Sequence, residues 1–433
     1  MTAAVASEVG DTSSPADAMV DELSAMLARL GTLAACDAHT DDAARIDRIA
    51  LLERVKAAAA AAQHEQMVAF ARSQVELQQE QVLRDPRAVG RGIADQIALA
   101  CHVSPGEGSR RLGIARALHG DLPATAALLR EGAISEYVAG LVVTEIRHLP
   151  ADLRREVDAR IVAGGIAGLS SRRAAAIARR FAYEADPHGY VERGRTQRTH
   201  RRVGLRPAPD TMSLLTGYLP ADQGVACWAA LRGHADTLIS GGDGRTRDQI
   251  MADTLVERVT GQVRACDVHA EVGIVMPIDS VLDPDTHRTA ELTGYGPVPA
   301  GIARDILAGS GGRLWWRRLF TMPAGGPLVG GDPRRRRFDG WLARLIGTRD
   351  GGSCRDPFCD APIRHLDHVD RHRAGGPTSF TNGRGVCARG NLVREMPGWT
   401  VETVHDGLGP EPHTVRTTTP TGHIYTSRAG PAP

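Results

Sequence analysis

From Asp17 to about Tyr183 the apolar residues return every three or four positions, a spacing that stripes one face of a helix and gives a strand no consistent inside. Met19, Leu23, Met26, Leu27 and Leu30 make the first stripe. A second runs from Asp41 to about Arg84 through Ile46, Ile49, Leu52, Val55, Met67, Phe70 and Leu77, with Ala57 to Ala62 between. Asp85-Pro86 closes it, because the residue before a proline is driven out of helical geometry. One long helix or a helical hairpin would both produce this second stripe. Aromatic residues are only 4% of the chain, and its apolar content is largely Ala, Leu and Val. Ala and Leu lose little side-chain freedom in a helix, so a mostly helical body is expected.

Two shorter helices fit between Gly92 and Gly120, around Cys101-His102-Val103. Ser104-Pro105-Gly106-Glu107 supplies a capping serine, a proline at the first helical position and a glutamate three residues after the cap. The pair has the outline of a helix-turn-helix, and two helices of a bundle with surface arginines is the plainer reading. Further starts fall at Pro123, Ser135 and Ser170-Ser171. After Asp186-Pro187 the texture turns to Thr, Val, Gly and Pro. Arg202 to Arg206 and Met212 to Thr216 read as paired strands, Asp222 to about Leu238 and Asp248 to Thr260 as helices, and His269 to Met276 as a strand. Pro299 to Leu307 reads as a short helix, Leu314 to Pro333 as a β-turn-β unit and Arg337 to Thr348 as a helix.

At ~100–200 residues per domain, a chain of 433 holds two or three units. The expected division is a disordered N-terminus at 1–16, a mainly helical domain at 17–340 that is helical to 185 and α+β from 186, a small module at 341–399, and a β-rich extension with a loose tail at 400–433. The class is α+β with helix dominant.

The net charge is +1, but from Arg313 to Glu395 the chain carries 16 Arg against 7 Asp and 1 Glu, so that segment is +8 and the remainder −7. A basic segment on an acidic body suits phosphate binding. Lys56 is the sole lysine and arginine is plentiful everywhere, so only the clustering counts. No apolar run approaches the ~18 residues of a spanning helix, and Met1 to Ala16 lacks the basic and apolar regions of a secretory signal. A cytoplasmic protein without membrane contact is expected; nothing in the sequence sets its oligomeric state. The seven cysteines do not read as a disulfide framework.

Three of those cysteines lie close together. Cys354-x4-Cys359 and Cys387 have the spacing of two metal knuckles, but a closed zinc site wants four ligands and the place three residues after Cys387 is Gly390. His365 completes the set, or a water does, or zinc is not held. Between the knuckles, Asp367 offers oxygen to a divalent ion and His368 a base for water. Asn382 offers hydrogen bonds to hold that imidazole or its loop, and Asn391 a second oxygen. Base and cation together are what phosphodiester hydrolysis needs. Arg334 to Arg337, Arg371, Arg373, Arg384, Arg389 and Arg394 surround the group, as phosphate contacts or as solvated charge.

Asp367-His368, Gly375-Gly376-Pro377, Asn382 and Asn391 resemble the motif of the HNH endonucleases. The stretch from Arg349-Asp350 through Cys354-Arg355-x-Pro357-x-Cys359 to Pro397-Gly398-Trp399 is similar to an actinobacterial branch with an N-terminal domain of unknown function 222, also called the 13E12 repeat family. Upstream, Leu122-Pro123-Ala124-Thr125, Gly294-Tyr295-Gly296-Pro297 and Arg317-Arg318-Leu319 are shaped like that domain. The resemblance covers roughly residues 20 to 430. It implies a predominantly helical N-terminal body followed by a ββα-metal module. His368 would be the general base, Asn382 the central asparagine, Asp367 and Asn391 the ligands of Mg²⁺ or a similar ion, and Cys354, Cys359 and Cys387 the ligands of a structural Zn²⁺. Gly390 departs from the branch, which carries a fourth cysteine there. The implied activity is metal-dependent cleavage of nucleic acid, DNA foremost, with contacts from Arg371, Arg373, Arg384, Arg389 and Arg394. The alternative is a nucleic-acid-binding or mobile-element-derived protein whose module has decayed.

Overall fold

The alanines at 57–62 carry the second stripe through as a single helix. After α1 (Pro15–Leu33), α2 (Asp42–Gln81) runs unbroken for 40 residues, ~60 Å at 1.5 Å per residue. Its first turns leave Ile46, Ile49 and Leu52 exposed, while Ala57, Ala61, Met67 and Ala71 are buried. The computed structural model describes residues 15–33, 41–81, 88–261, 263–264, 274–275, 289–292, 295–309 and 338–430. These are mostly helical, with small antiparallel sheets. Residues 1–14 of the expected disordered end, Asp85-Pro86, the unit from Leu314 to Pro333 and Arg334 to Arg337 lie outside them.

The helical body continues with α3 (Ile93–Ala100), α4 (Pro105–Gly120), α5 (Pro123–Arg130), α6 (Glu136–Ile146), α7 (Ala151–Ala163), α8 (Ser171–Ala185) and α9 (Pro187–Gln197). The starts follow the capping chemistry. Ser104 Oγ accepts from the Glu107 amide and Ser135 Oγ from the Val138 amide. Glu107 does not close a capping box: its carboxylate bonds Arg110 and Arg111, and the Arg110 bond foremost holds it down at about 2. Leu122, Leu129, Val142, Ile146, Val157 and Ile161 form the main core, each contributing about 1.5–3 kcal/mol on burial. Ala174, Ala178 and Ala182 give α8 a smooth face at i, i+4 spacing toward it. Inside this body Asp158 is fully buried and accepts from the Ala124 and Thr125 amides, capping α5 from a neighbouring helix.

The middle of the chain holds a hairpin of β1 (Arg202–Pro207) and β2 (Ser213–Tyr218), in register with Arg202 opposite Tyr218. Next come α10 (Ala221–Ser240) and α11 (Arg247–Thr260), packed through Ala235, Ile250 and Met251. A three-stranded antiparallel sheet of β3 (Ile274–Val275), β4 (Thr289–Leu292) and β5 (Gly296–Pro299) precedes α12 (Ala300–Gly309). The β4–β5 pair was not expected from the sequence. Of the strand expected from His269 to Met276, only Ile274–Val275 is described.

The last segment holds α13 (Gly340–Arg349), β6 (His365–His368), β7 (Gly383–Val386) and α14 (Ala388–Val393). An antiparallel meander of β8 (Thr400–His405), β9 (Thr414–Thr418) and β10 (Ile424–Arg428) follows. β6 and β7 pair with Asp367 opposite Arg384 and His368 opposite Gly383. Gly383 keeps this packing tight: a Cβ there would stand 2.4 Å from the tip of Ile346 and 2.7 Å from the Phe338 ring, so those side chains would have to shift. Buried Arg355 ties the meander down by donating to the His413 and Ser427 carbonyls. Among the described residues no helix is long and apolar enough to cross a membrane.

Candidate metal centre and hairpin site

Cys354 and Cys359 flank a tight loop whose end bridges back, Ser353 to Pro362, while Cys387 caps the start of α14. That geometry gathers the three sulfurs within 4.8 Å of one another. Cys359 Sγ and Cys387 Sγ are 3.9 Å apart, close to the ~3.8 Å edge of a tetrahedron with ~2.3 Å Zn–S bonds. Two amides support the cluster: Cys387 N donates to Cys354 Sγ and Gly390 N to Cys387 Sγ, both at 3.2 Å. The Cys359 contact and then burial push the Cys354 thiol up, and burial pushes Cys387 up. A bound cation would reverse that, since a coordinating thiol is deprotonated. The three could hold a metal ion, and among the described residues no other group of three or more His, Cys, Asp or Glu side chains could. Neither His365, a candidate for the fourth donor, nor the nearby Asp356 carboxylate is in the group as it stands.

The hairpin places Asp367 and His368 in successive positions of β6, on opposite faces. His368 Nε2 lies 2.9 Å from Thr378 Oγ1, and its ring packs against Phe338 and His372 at 4.4 and 5.3 Å between centroids. Asn382 is buried and closes the connection between the strands. Its Oδ1 accepts from the Asp370 amide at 2.6 Å, and its Nδ2 donates to the Asp370 and Pro377 carbonyls at 3.0 and 2.7 Å. Asn391 lies in the first turns of α14, its amide bonded to the Cys387 carbonyl. Asp367 has partners the sequence did not suggest. Its Oδ2 accepts from Arg384 Nη2 at 3.4 Å and from Arg394 Nη1.

The five arginines expected at phosphate therefore divide. Arg384 has no exposed surface and sits between Asp356 and Asp367. Burial works against its charge, and the two carboxylates together outweigh it. Arg394 is 4% exposed and also donates to the His368 and Val369 carbonyls. For these two the expectation of a phosphate contact is corrected, because their donors face inward. Arg389 is also engaged: it grips Asp95 of α3 with two bonds at 2.6 and 2.8 Å and reaches Ser109 and the Pro105 carbonyl. Arg371 pairs with Glu395, and Arg373, with a side chain 74% exposed, reaches the same carboxylate at 3.6 Å.

Arg389 belongs to a wider contact. Leu99 and Ala88 of the helical body pack with Val393, Met396 and Trp399, and His102 stacks on Phe358 at 4.7 Å. α3 is thereby covered by the C-terminal segment, as a helix packed inside a larger body is. Asp350 and Asp356, absent from the expected site, organise it: buried Asp350 accepts from Arg349, Arg355 and the Gly385 amide. No spacing signal could have found them, because Asp350 meets Gly385 and Asp356 meets Arg384 only through the fold.

A family profile described as Domain of unknown function (DUF222) matches residues 49–350, ending just before Cys354. Neither a curated protein nor a solved structure matches the chain.

Proposed function

The chain belongs to the family of the Domain of unknown function DUF222, and on that scaffold we propose a metal-dependent endonuclease centred on His368. The observation that carries the reading is the order hairpin, asparagine-closed loop, helix: β6 ends on His368, Asn382 braces the loop before β7, and α14 brings Asn391. That order supports the reading, because a ββα-metal nuclease is built on a hairpin followed by a helix. His368, held by Thr378 and walled by Phe338, takes the proton of an attacking water. Asp367 Oδ1, which the two arginines do not use, and the Asn391 amide oxygen would hold Mg²⁺ or a similar ion. When bound, that ion supplies positive charge to the scissile phosphate and the leaving oxygen. Of the five arginines, Arg373, with its side chain 74% exposed, would meet the backbone of DNA.

Plasmid nicking tests the proposal. The full chain nicks DNA only with a divalent metal, and His368→Ala abolishes nicking while leaving the fold intact by circular dichroism. No nicking under Mg²⁺, Mn²⁺ or Zn²⁺ would sink it.

One observation favours a second reading, a nucleic-acid-binding protein with a decayed module. Arg384 and Arg394 place two positive charges on the carboxylate that the ion needs, and like charge opposes metal entry. Salt-dependent DNA retention without cleavage in the same assay is its signature.

A further inference from the structure

Gly390 stands where a fourth thiolate would close the group of Cys354, Cys359 and Cys387, and the space beside it is already taken. A Cβ at 390 would lie 1.7 Å from Asp356 Oδ2 and 3.6 Å from Cys387 Sγ. The carboxylate thus fills the volume through which a cysteine side chain at 390 would reach the sulfurs. We propose that Asp356 is the fourth donor, making a Cys₃Asp site for zinc.

The local chain is built for it. Asp356 lies inside the Cys354–Cys359 loop, with its carbonyl bonded to the Cys359 amide at 3.1 Å, so backbone and side chain turn together toward the start of α14. Its two oxygens are used differently. Oδ1 accepts from Arg384 Nη1 at 2.8 Å, and Oδ2 faces Gly390, outside the 4.8 Å group of the three sulfurs, so ligation requires the carboxylate to turn toward them. Zinc accepts carboxylate oxygen as a ligand, at ~2.0–2.2 Å. A ligating carboxylate is ordinarily oriented by a second hydrogen bond, the role Arg384 fills here. Charge favours the arrangement as well. Three thiolates and a carboxylate around Zn²⁺ leave a net −2, and the buried guanidinium of Arg384 offsets part of it. Glycine at 390 follows from the same geometry, because any side chain there collides with Asp356. Arg384 also bonds Asp367, so the loop that holds zinc and the strand that presents His368 share one buried cation.

The test reads metal, not cleavage, so its outcome is independent of whether the chain is a nuclease. Full-length protein stripped of metal under reducing conditions is titrated with Zn²⁺ against a competing chelator, and with Co²⁺ followed by absorption. The wild type is expected to bind one ion per chain, with a Co²⁺ spectrum of three thiolates and one oxygen. Asp356→Asn should lower zinc affinity at least tenfold without reducing the thiolate charge-transfer band per bound ion. The double variant Asp356→Ala, Gly390→Cys should restore the affinity and raise that band by about one third, for four thiolates in place of three. Wild-type zinc affinity in Asp356→Asn would overturn the proposal, as would a wild-type chain that takes up no zinc. If Asp356→Asn does not fold, the double variant decides: failure to bind zinc there overturns the assignment of the fourth position.

Discussion

The side chain of Asn382 makes three hydrogen bonds to the loop it closes, two to Asp370 and one to Pro377, from a position 4% exposed. Nothing smaller can replace it, because one amide both accepts and donates there. Asn382→Ala leaves a buried amide and two carbonyls without partners, each costing about 1–3 kcal/mol less whatever water recovers. The expected loss is about 2–4 kcal/mol, read as a lower urea midpoint with an unchanged m-value. Asn382→Asp should lose as much, since it keeps the acceptor but sets a charge against two carbonyl oxygens. An unshifted midpoint for the alanine variant would mean that the loop is held by other contacts. The same residue marks the reach of sequence reading: asparagine at this place was legible as a brace for the His368 imidazole or for its loop, and only the fold shows that Asp370 and Pro377 of the loop are its partners. The arginines went further astray. Clustering announced a basic surface, whereas Arg384 and Arg394 are the internal counter-ions of Asp356 and Asp367. Their partners stand 27 and 28 residues away along the chain, beyond any local pattern.

Elements were legible where their signal is local. The starts of α4 and α6 carry capping serines, the texture after Asp186-Pro187 marked β1 and β2, and the β-rich extension expected from 400 is the meander. The β4–β5 hairpin escaped because Gly-Pro-Val-Pro reads as a turn, and two prolines demote a strand. How the meander is fastened was invisible too. His413, just before β9, is fully buried, and its Nε2 lies 2.9 Å from the Thr381 carbonyl in the β6–β7 connection. Burial first, and then the nearby Arg349, lower its pKa from 6.5 to about 4. The native state thus binds this proton later than the unfolded chain does, and stability is full above pH ~6.5 and falls as pH drops toward ~4. The loss approaches ~3 kcal/mol at the acid end. Urea midpoints at pH 7.5 and 4.5 should differ by less in His413→Gln, which donates to Thr381 without titrating. An equal difference in the two proteins would assign the acid sensitivity elsewhere.

At the scale of the whole molecule, the C-terminal segment is docked onto the helical body, through a face that joins α14 to α3. Arg389 and Asp95 are its polar centre, and Leu99, Val393, Met396 and Trp399 its apolar part, with Gly92 admitting the Trp399 ring at close range. The two partners of the ion pair differ in exposure. The Asp95 side chain is 9% exposed and that of Arg389 36%, so removing one is not equivalent to removing the other. Arg389→Ala strands a buried carboxylate and should cost about 2 kcal/mol. Asp95→Ala leaves a guanidinium that still bonds Ser109 and can turn to water, and should cost about 1 kcal/mol. Because the pair joins two elements 294 residues apart, the loss should appear as local opening and not only as a lower global midpoint. Hydrogen exchange should rise together in Ile93–Ala100 and Ala388–Val393 in Arg389→Ala, while the core helices α6 to α8 keep wild-type protection. A rise confined to α14 would show that α3 is held by the bundle alone. Uniform loss of protection would show that body and module unfold as one unit, with the docking face a part of a common core.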